Sequence, residues 1–427
     1  MPKNKYNLAV IGGGPAGMMA AARAGELGSR VILLEKNTQL GTKLLITGKG
    51  RCNITNAEED LKKLINVYGP NGKFLYSALN KFSNQDVVNF FDKHGIQTKI
   101  ERGNRVFPTS DKARDIVACL NKYLTKSKVE IKFNSSVEKI ILKSDKIEKI
   151  ILQNGQEIIA DNYLIATGGK SYPGTGATGD GYKWLKQLSH TIIEPNPALT
   201  PIIIKETIVK QLEGLSLKNV EVSLWAPPNQ SLRSGTGQGK KLASEFGEAL
   251  FTGNGLSGPI ILDLSKKVTE NLDKKLQIKI DFKPALDYPT LDKRILRDFA
   301  EQKNKQFKNS LDKLLPKKLI PVIIELSEIE PDKAINEITK DERKKLLKLL
   351  KEFELNISGL VGFEKAIVTS GGVNLKEVDP KTMKSKIIDN LSLAGEILDI
   401  DGPTGGYNLQ VAWSTGYTAG DNHFNLK

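Results

Sequence analysis

A chain of 427 residues is too long for one compact core and suits two or three domains of roughly 100–200 residues each. Hydrophobic residues at 39% and charged residues at 26% describe a globular chain rather than a disordered one. Two cysteines, Cys52 and Cys119, exclude a disulfide scaffold, and three scattered histidines (His94, His190, His423) give no basis for a metal site. No apolar run approaches the ~18 residues of a membrane span. A first strand beginning by Asn7 leaves nothing for a cleaved leader, so a cytoplasmic protein is expected. Lys+Arg 63 exceed Asp+Glu 49, a formal charge of +14. That charge suits an anionic partner such as nucleic acid. It suits a lysine-rich compositional bias equally, because only 10 of the cations are Arg, the side chain favoured for bidentate phosphate contacts.

In chain order, Tyr6–Ile11 reads as a strand buried on both faces, followed by a glycine-rich turn and an Ala-rich helix to about Leu27. Gly28 stands where a helix-terminating glycine is expected, and Arg30–Leu34 reads as the next strand. Residues 61–125 read as mostly helical, with Lys81–His94 showing helical spacing. Short strands are expected at Val129–Phe133, Val137–Leu142, Lys149–Leu152, Glu157–Ala160 and Asn162–Ala166. Glu194-Pro195-Asn196-Pro197 marks a boundary. Beyond it come β-like segments (Pro201–Ile204, Asn219–Leu224, Leu276–Phe282) and a Lys-rich helical block, Thr290–Phe353. Strand–glycine–helix texture returns at Ala366–Thr369, Leu391–Ala394 and Gly405–Ala419. The expected domains are 1–195 and 366–427 as one discontinuous nucleotide-binding domain. The insert is 196–365, β-rich over about 196–285 and helical over about 286–355.

Gly12-x-Gly14-x-x-Gly17 follows a strand, opens a helix, and has Glu35 at the end of the next strand. Gly12 permits the tight turn, Gly14 lets a pyrophosphate approach, and Gly17 lets helix and strand pack closely. Pro15 and Ala16 complete the turn, and the helix N-terminus meets the phosphates with free N–H groups. Glu35 is placed to accept from the adenosine ribose. Gly174-x-Gly176-x-x-Gly179 is separated from its strand and reads as a loop. Gly235-Thr236-Gly237-Gln238-Gly239-Lys240 lacks the spacing of a triphosphate loop. One dinucleotide fold is expected.

Tyr163–Gly169 (YLIATGG) resembles the strand end, here Ala166-Thr167-Gly168, that approaches FAD in flavoproteins of this fold. Leu391–Glu396 and Gly405–Gln410 resemble the C-terminal segment that brings an acid (Glu396, after Gly395) to the ribityl chain. The helix after Gly406 is aimed at the flavin with its positive dipole end. The motifs TGKGRCNITN, FPTSDKARDIV, TGGKSYPGTGATGDGY, GLSGP, VTSGGV and AGEILDIDGPTGGYNLQVAWSTGYTAG occur in order across nearly the whole chain. The sequence resembles the bacterial NAD(P)/FAD-dependent, aminoacetone-oxidase-like flavoprotein family. The resemblance implies an α/β fold, a glutathione-reductase-like Rossmann-type FAD domain with an inserted β-rich plus helical domain. It further implies an enzyme that binds FAD, with NAD(P)H as a transient reductant. Some relatives are assigned as dihydrouridine synthases of large-subunit ribosomal RNA.

On that reading reduced flavin delivers hydride to C6 of a uracil, and Cys52 is the candidate acid at C5, its thiol pKa lowered by Arg51. Cys52 is equally well read as a small residue packed beside the flavin. Arg51 stabilises a developing enolate or contacts FAD. Asn53 and Asn408 are expected at the flavin rim and Lys43 facing the cofactor. Lys36, Gly48, Gly50, Val137 and Leu409 complete the expected contacts. Tyr172 and Tyr407 are stacking partners for a flipped base or ordinary core residues. Residues 266–318 hold 15 Lys/Arg against 8 Asp/Glu. Within that stretch Lys266, Lys267, Lys274, Lys275, Lys317 and Lys318 offer either an RNA-binding surface or a solvated face. The alternatives to the RNA reading are a small-molecule reductase or oxidase and a non-catalytic FAD-bound sensor.

Overall fold

The computed structural model describes residues 5–227 and 239–422. His423 and Gly235–Gln238 lie outside the described residues. The chain divides into two compact units, one formed by 1–197 with 363–427 and the other by 198–362.

The first unit is built on a five-stranded parallel sheet. Its strands are β1 (Tyr6–Ile11), β2 (Val31–Leu34), β3 (Glu130–Lys132), β4 (Ala160–Ile165) and β5 (Leu391–Leu393), in the order β5-β4-β1-β2-β3. Leu8, Ala9 and Val10 of β1 and all of β2 are buried, as continuous apolar strands covered on both faces must be. Helix α1 (Pro15–Glu26) connects β1 to β2, and α2 (Ala113–Lys126) precedes β3. Helix α3 (Asp180–Gln187) follows β4, and α4 (Tyr407–Asn422) follows β5. The small residues of α1 let α4 come within backbone contact. A Cβ added at Gly416 would lie 2.4 Å from the Ala16 carbonyl oxygen, and one at Gly420 2.4 Å from that of Ala20.

Two sequence expectations need refining. The span 61–125 is mostly helical as expected, but Thr98–Glu101 and Arg105–Pro108 interrupt it with a hairpin joined by Thr55–Asn56. These strands are short and rich in Lys, Arg and Glu, so period-2 patterning is too weak to read. The Lys81–His94 helix is broken at Phe82, because Ser83 forms a capping box with Asp86 and starts a new helix, Asn84–Lys93. The expected boundary at Glu194–Pro197 lies within the strand Ile192–Ala198, which pairs with Val368–Val373 in a two-stranded sheet. A two-stranded sheet gives each strand a free edge where a proline needs no N–H. The division between units falls after Pro197 and after Gly362, within three residues of the expected bounds.

The second unit is a closed six-stranded antiparallel barrel. Its strands are Ile202–Ile204, Gly255–Ser257, Lys240–Thr252, Ser216–Ala226, Gln277–Asp281 and Phe353–Leu360, in that order around the barrel. Helices Pro259–Thr269, Tyr288–Ala300, Ile320–Ser327 and Lys340–Lys351 accompany it, and Phe251, Phe307 and Phe353 anchor its core. Among the described residues, no helix is long and apolar enough to cross a membrane.

His190 is 3% exposed, with its Nε2 2.8 Å from the Ser385 hydroxyl oxygen and its Nδ1 without a partner among the described residues. Burial lowers its pKa, so the folded state holds the neutral ring. The unfolded chain then binds the extra proton first, near an ordinary pKa of about 6.5. Stability from this residue is full above that pH and is lost as pH falls toward the depressed folded value. Urea unfolding of a His190→Gln variant is expected to show a flatter pH dependence between about pH 6.5 and 5 than the parent.

Candidate functional site

Ligands of open parallel sheets sit beyond the carboxyl ends of the strands, where strand order reverses. At the end of β1, Gly12 turns with φ 105°, and a Cβ there would lie 2.5 Å from the Ala166 carbonyl oxygen. At Gly17 a Cβ would meet the Gly12 carbonyl oxygen at 1.9 Å, so only glycine lets α1 start so close to β1. Gly14 has nothing within 4 Å of its own Cβ position, which leaves an open cradle. No side chain caps α1, and Pro15 sits in its first turn, so its leading N–H groups face that cradle unspent. The Glu35 carboxylate, 7% exposed, accepts from the Gly13 and Asn37 N–H groups at 2.8 Å each. An acid fixed at the end of β2 is placed to receive ribose hydroxyls.

Farther along, β4 ends in Ala166-Thr167-Gly168 and β5 in Gly395-Glu396. Gly395 (φ 81°) packs on Ala16 and donates its N–H to the Thr415 hydroxyl, 2.9 Å. Glu396 receives the Lys43 ammonium at 2.9 Å and the Thr369 N–H at 2.8 Å. Thr369 was not read from the sequence as a site residue. Its hydroxyl also accepts from the Lys170 N–H, 2.8 Å, and pairs with the Ser171 hydroxyl at 2.8 Å, tying the loop after β4 to Glu396.

The third part is loop 47–56 against the start of α4. Gly405 and Gly406 turn with φ 122° and 96°, and a Cβ at Gly406 would fall 2.4 Å from the Thr55 backbone. Asn56 donates to the Gly405 carbonyl, the Thr55 hydroxyl to Gln410, and the Trp413 indole to the Ile54 carbonyl at 2.9 Å.

The structure gives several expected residues neighbours within the protein. Cys52 is wholly buried, and burial pushes its thiol pKa up to about 12 rather than down. Arg51 does not lower it, because its guanidinium is bound by Glu101 and Asp111 and lies 4.1 Å from the Phe107 ring centre. The amide of Asn408 is spent on its own loop, accepting from the Gly402 N–H and donating to the Gly402 carbonyl, 2.8 Å each. Lys36 is held by Asp180 and Thr178. Tyr407 meets Tyr68 edge to face, and both Tyr407 and Tyr172 are half-buried, Tyr172 with φ 53°. Val137 opens a buried strand position, and Leu409 packs on the core of this unit. By contrast the Asn53 Oδ1 is buried without a partner among the described residues. Glu101 and Asp111 gave no sequence signal, since isolated acids on short strands and turns are ordinary surface residues.

A family model described as the HI0933-like protein Rossmann domain matches residues 6–422. The chain belongs to that family. It is 32% identical, over 97% of its length and 98% of the other's, to the 3-dehydro-bile acid delta(4,6)-reductase of Clostridium scindens. It is 31% identical to the ribosomal RNA dihydrouridine synthase of Haemophilus influenzae, with 96% of each chain covered. The Escherichia coli protein of the same description is 29% identical, over 97% of this chain and 96% of that one. Among solved structures, 3-ketosteroid delta1-dehydrogenase from Sterolibacterium denitrificans covers 100% of both chains, with TM-score 0.54 at 12% identity.

As an HI0933-like protein the chain is an FAD-dependent oxidoreductase. Its residues fit the cofactor: the Gly14 cradle and α1 N-terminus suit the pyrophosphate, Glu35 the ribose, and the unpartnered Asn53 oxygen an N–H donor. Bound FAD supplies hydride transfer. The protein's share is to hold it and fix charge around it.

Both thiols are buried, and the raised pKa of Cys52 leaves almost no thiolate at neutral pH. Iodoacetamide at pH 7.5 is expected to leave Cys52 unlabelled in the native protein and to label it within minutes in urea, read by peptide mass spectrometry.

Proposed function

We propose that this chain uses NAD(P)H to reduce a carbon–carbon double bond conjugated to a carbonyl, and that its substrate is a uridine of large-subunit ribosomal RNA. Hydride goes to C6 of the uracil and a proton to C5, giving dihydrouridine. The relatives' names support the reaction class, since one describes dihydrouridine formation and another reduction of double bonds in a bile acid. The observation that carries the RNA reading is the formal charge of +14, which favours a polyanion over a singly charged small molecule. The inserted unit contributes Lys275, Lys293, Lys303 and Lys317, all exposed and without an ion pair among the described residues. One nucleotide-binding sheet serves the whole described chain, so NAD(P)H and substrate take turns at one face of the cofactor.

A second reading, a reductase of a small enone, is favoured by how many basic side chains of the insert are already neutralised. Lys279 lies between Glu352 and Glu354, Arg294 binds Asp298, Lys313 binds Glu301, and Lys308 binds Asp332.

FAD-loaded protein, NADPH or NADH and unmodified large-subunit ribosomal RNA, incubated without oxygen, are expected to yield one uridine heavier by two hydrogens on digestion and mass spectrometry. RNA affinity should weaken as salt rises. Unchanged RNA beside flavin that NAD(P)H still reduces would overturn the RNA substrate and leave the small enone.

A further inference from the structure

The segment from Gly41 to Asn56 runs the length of the site and is fixed at three points. The Gly41 N–H donates to the Gly13 carbonyl at 2.9 Å, beside the pyrophosphate cradle. Lys43 pairs with Glu396 in the middle. Ile54, Thr55 and Asn56 bind the start of α4 at the far end. Asn53 therefore lies between the Glu396 pair and the α4 turn, away from the adenosine end marked by Glu35.

Just before Asn53 the backbone is held in a conformation it would not choose. Gly48, Lys49, Gly50 and Cys52 have φ of 56°, 58°, 83° and 61°. The glycines take this freely, but Lys49 and Cys52 do not. Arg51, between them, is the residue with an outside anchor. Its guanidinium meets Glu101 on the hairpin Thr98–Pro108, and Asp111 just beyond it at 2.6 Å, with Phe107 beneath. Lys99 binds Asp111 at 2.6 Å and completes a four-charge cluster. The Phe107 ring also bounds the loop's inner side. A Cβ at Gly48 would sit 3.3 Å from that ring and 3.1 Å from the Asn53 nitrogen, so Phe107, Gly48 and Asn53 form one packed layer.

We propose that Asn53 is a cofactor-contact residue whose Oδ1 accepts a hydrogen bond from a ring N–H of the bound flavin. Arg51 is the positioning residue that holds it there through Glu101 and Asp111. The inference rests on FAD binding alone and is independent of the substrate. The chemistry matches: oxidised isoalloxazine carries one ring N–H, flanked by two carbonyls, and a primary amide offers an acceptor beside a donor. Of the two asparagines expected at the flavin, Asn53 has the buried acceptor still open, whereas the Asn408 amide is spent.

Apoprotein titrated with FAD, and the visible spectrum of the refilled protein, test both halves. Asn53→Ala is expected to weaken FAD binding roughly tenfold and shift the flavin absorption bands. Arg51→Gln should reproduce both effects, and Arg51→Lys should restore most of the affinity. The double variant should be no worse than Asn53→Ala, because one contact cannot be lost twice. Wild-type affinity and spectrum in Asn53→Ala would overturn the contact. Fully additive losses in the double variant would overturn the positioning role. If Arg51→Gln fails to fold, Glu101→Gln removes one of the two carboxylates that anchor Arg51 and should give a smaller shift of affinity and spectrum in the same direction.

Discussion

The first unit depends on backbone touching backbone where the parallel sheet ends. Gly17 brings the start of α1 against the Gly12 carbonyl, and Gly416 and Gly420 bring α4 against the carbonyls of Ala16 and Ala20. At 1.9 and 2.4 Å from a would-be Cβ, these are contacts no rotamer change can relieve. Because α1 is seated so tightly, its unspent N–H groups stand at a fixed place beyond β1, and Gly395 can pack on Ala16 beside them. The cradle, the Glu396 pair and the α4 turn are then three stations joined by a single stretch of chain, 41–56.

Charge is handled differently at each station. At the cradle the positive pole is the N-terminal end of α1, which no side chain caps. In the middle Lys43 and Glu396 neutralise each other, each about three-quarters buried, and the Thr369 N–H orients the carboxylate. At the far end the four charges of Arg51, Lys99, Glu101 and Asp111 are partly exposed, so they contribute geometry more than stability.

What the sequence made legible was whatever local pattern determines. The β1–α1–β2 unit needs only an apolar run, three glycines and an acid, and Gly12, Gly14, Gly17 and Glu35 stand where that pattern puts them. The long barrel strand Lys240–Thr252 escaped because it carries Lys240, Lys241, Glu245 and Glu248 on exposed positions and a glycine at 247. The role of Arg51 escaped for another reason. Its partners lie 50 and 60 residues away on elements with no signature, so adjacency to Cys52 was the only cue, and adjacency misled. Asn53 and Asn408 looked alike in sequence, and only the hydrogen-bond accounting of the folded loop separates them.

The order of strands in the sheet also has a consequence for synthesis. β5 pairs with β4, yet the inserted unit separates them, so that 225 residues lie between Ile165 and Leu391. At about 5–20 residues per second, the outer edge of β4 waits roughly 10–45 s on the ribosome for its neighbour. Glu396 and α4 arrive later still. The nascent chain therefore presents a helix end and a ribose acid well before it can close the site. Any cofactor met in that interval finds one station of three, and firm capture is deferred until the chain is nearly complete.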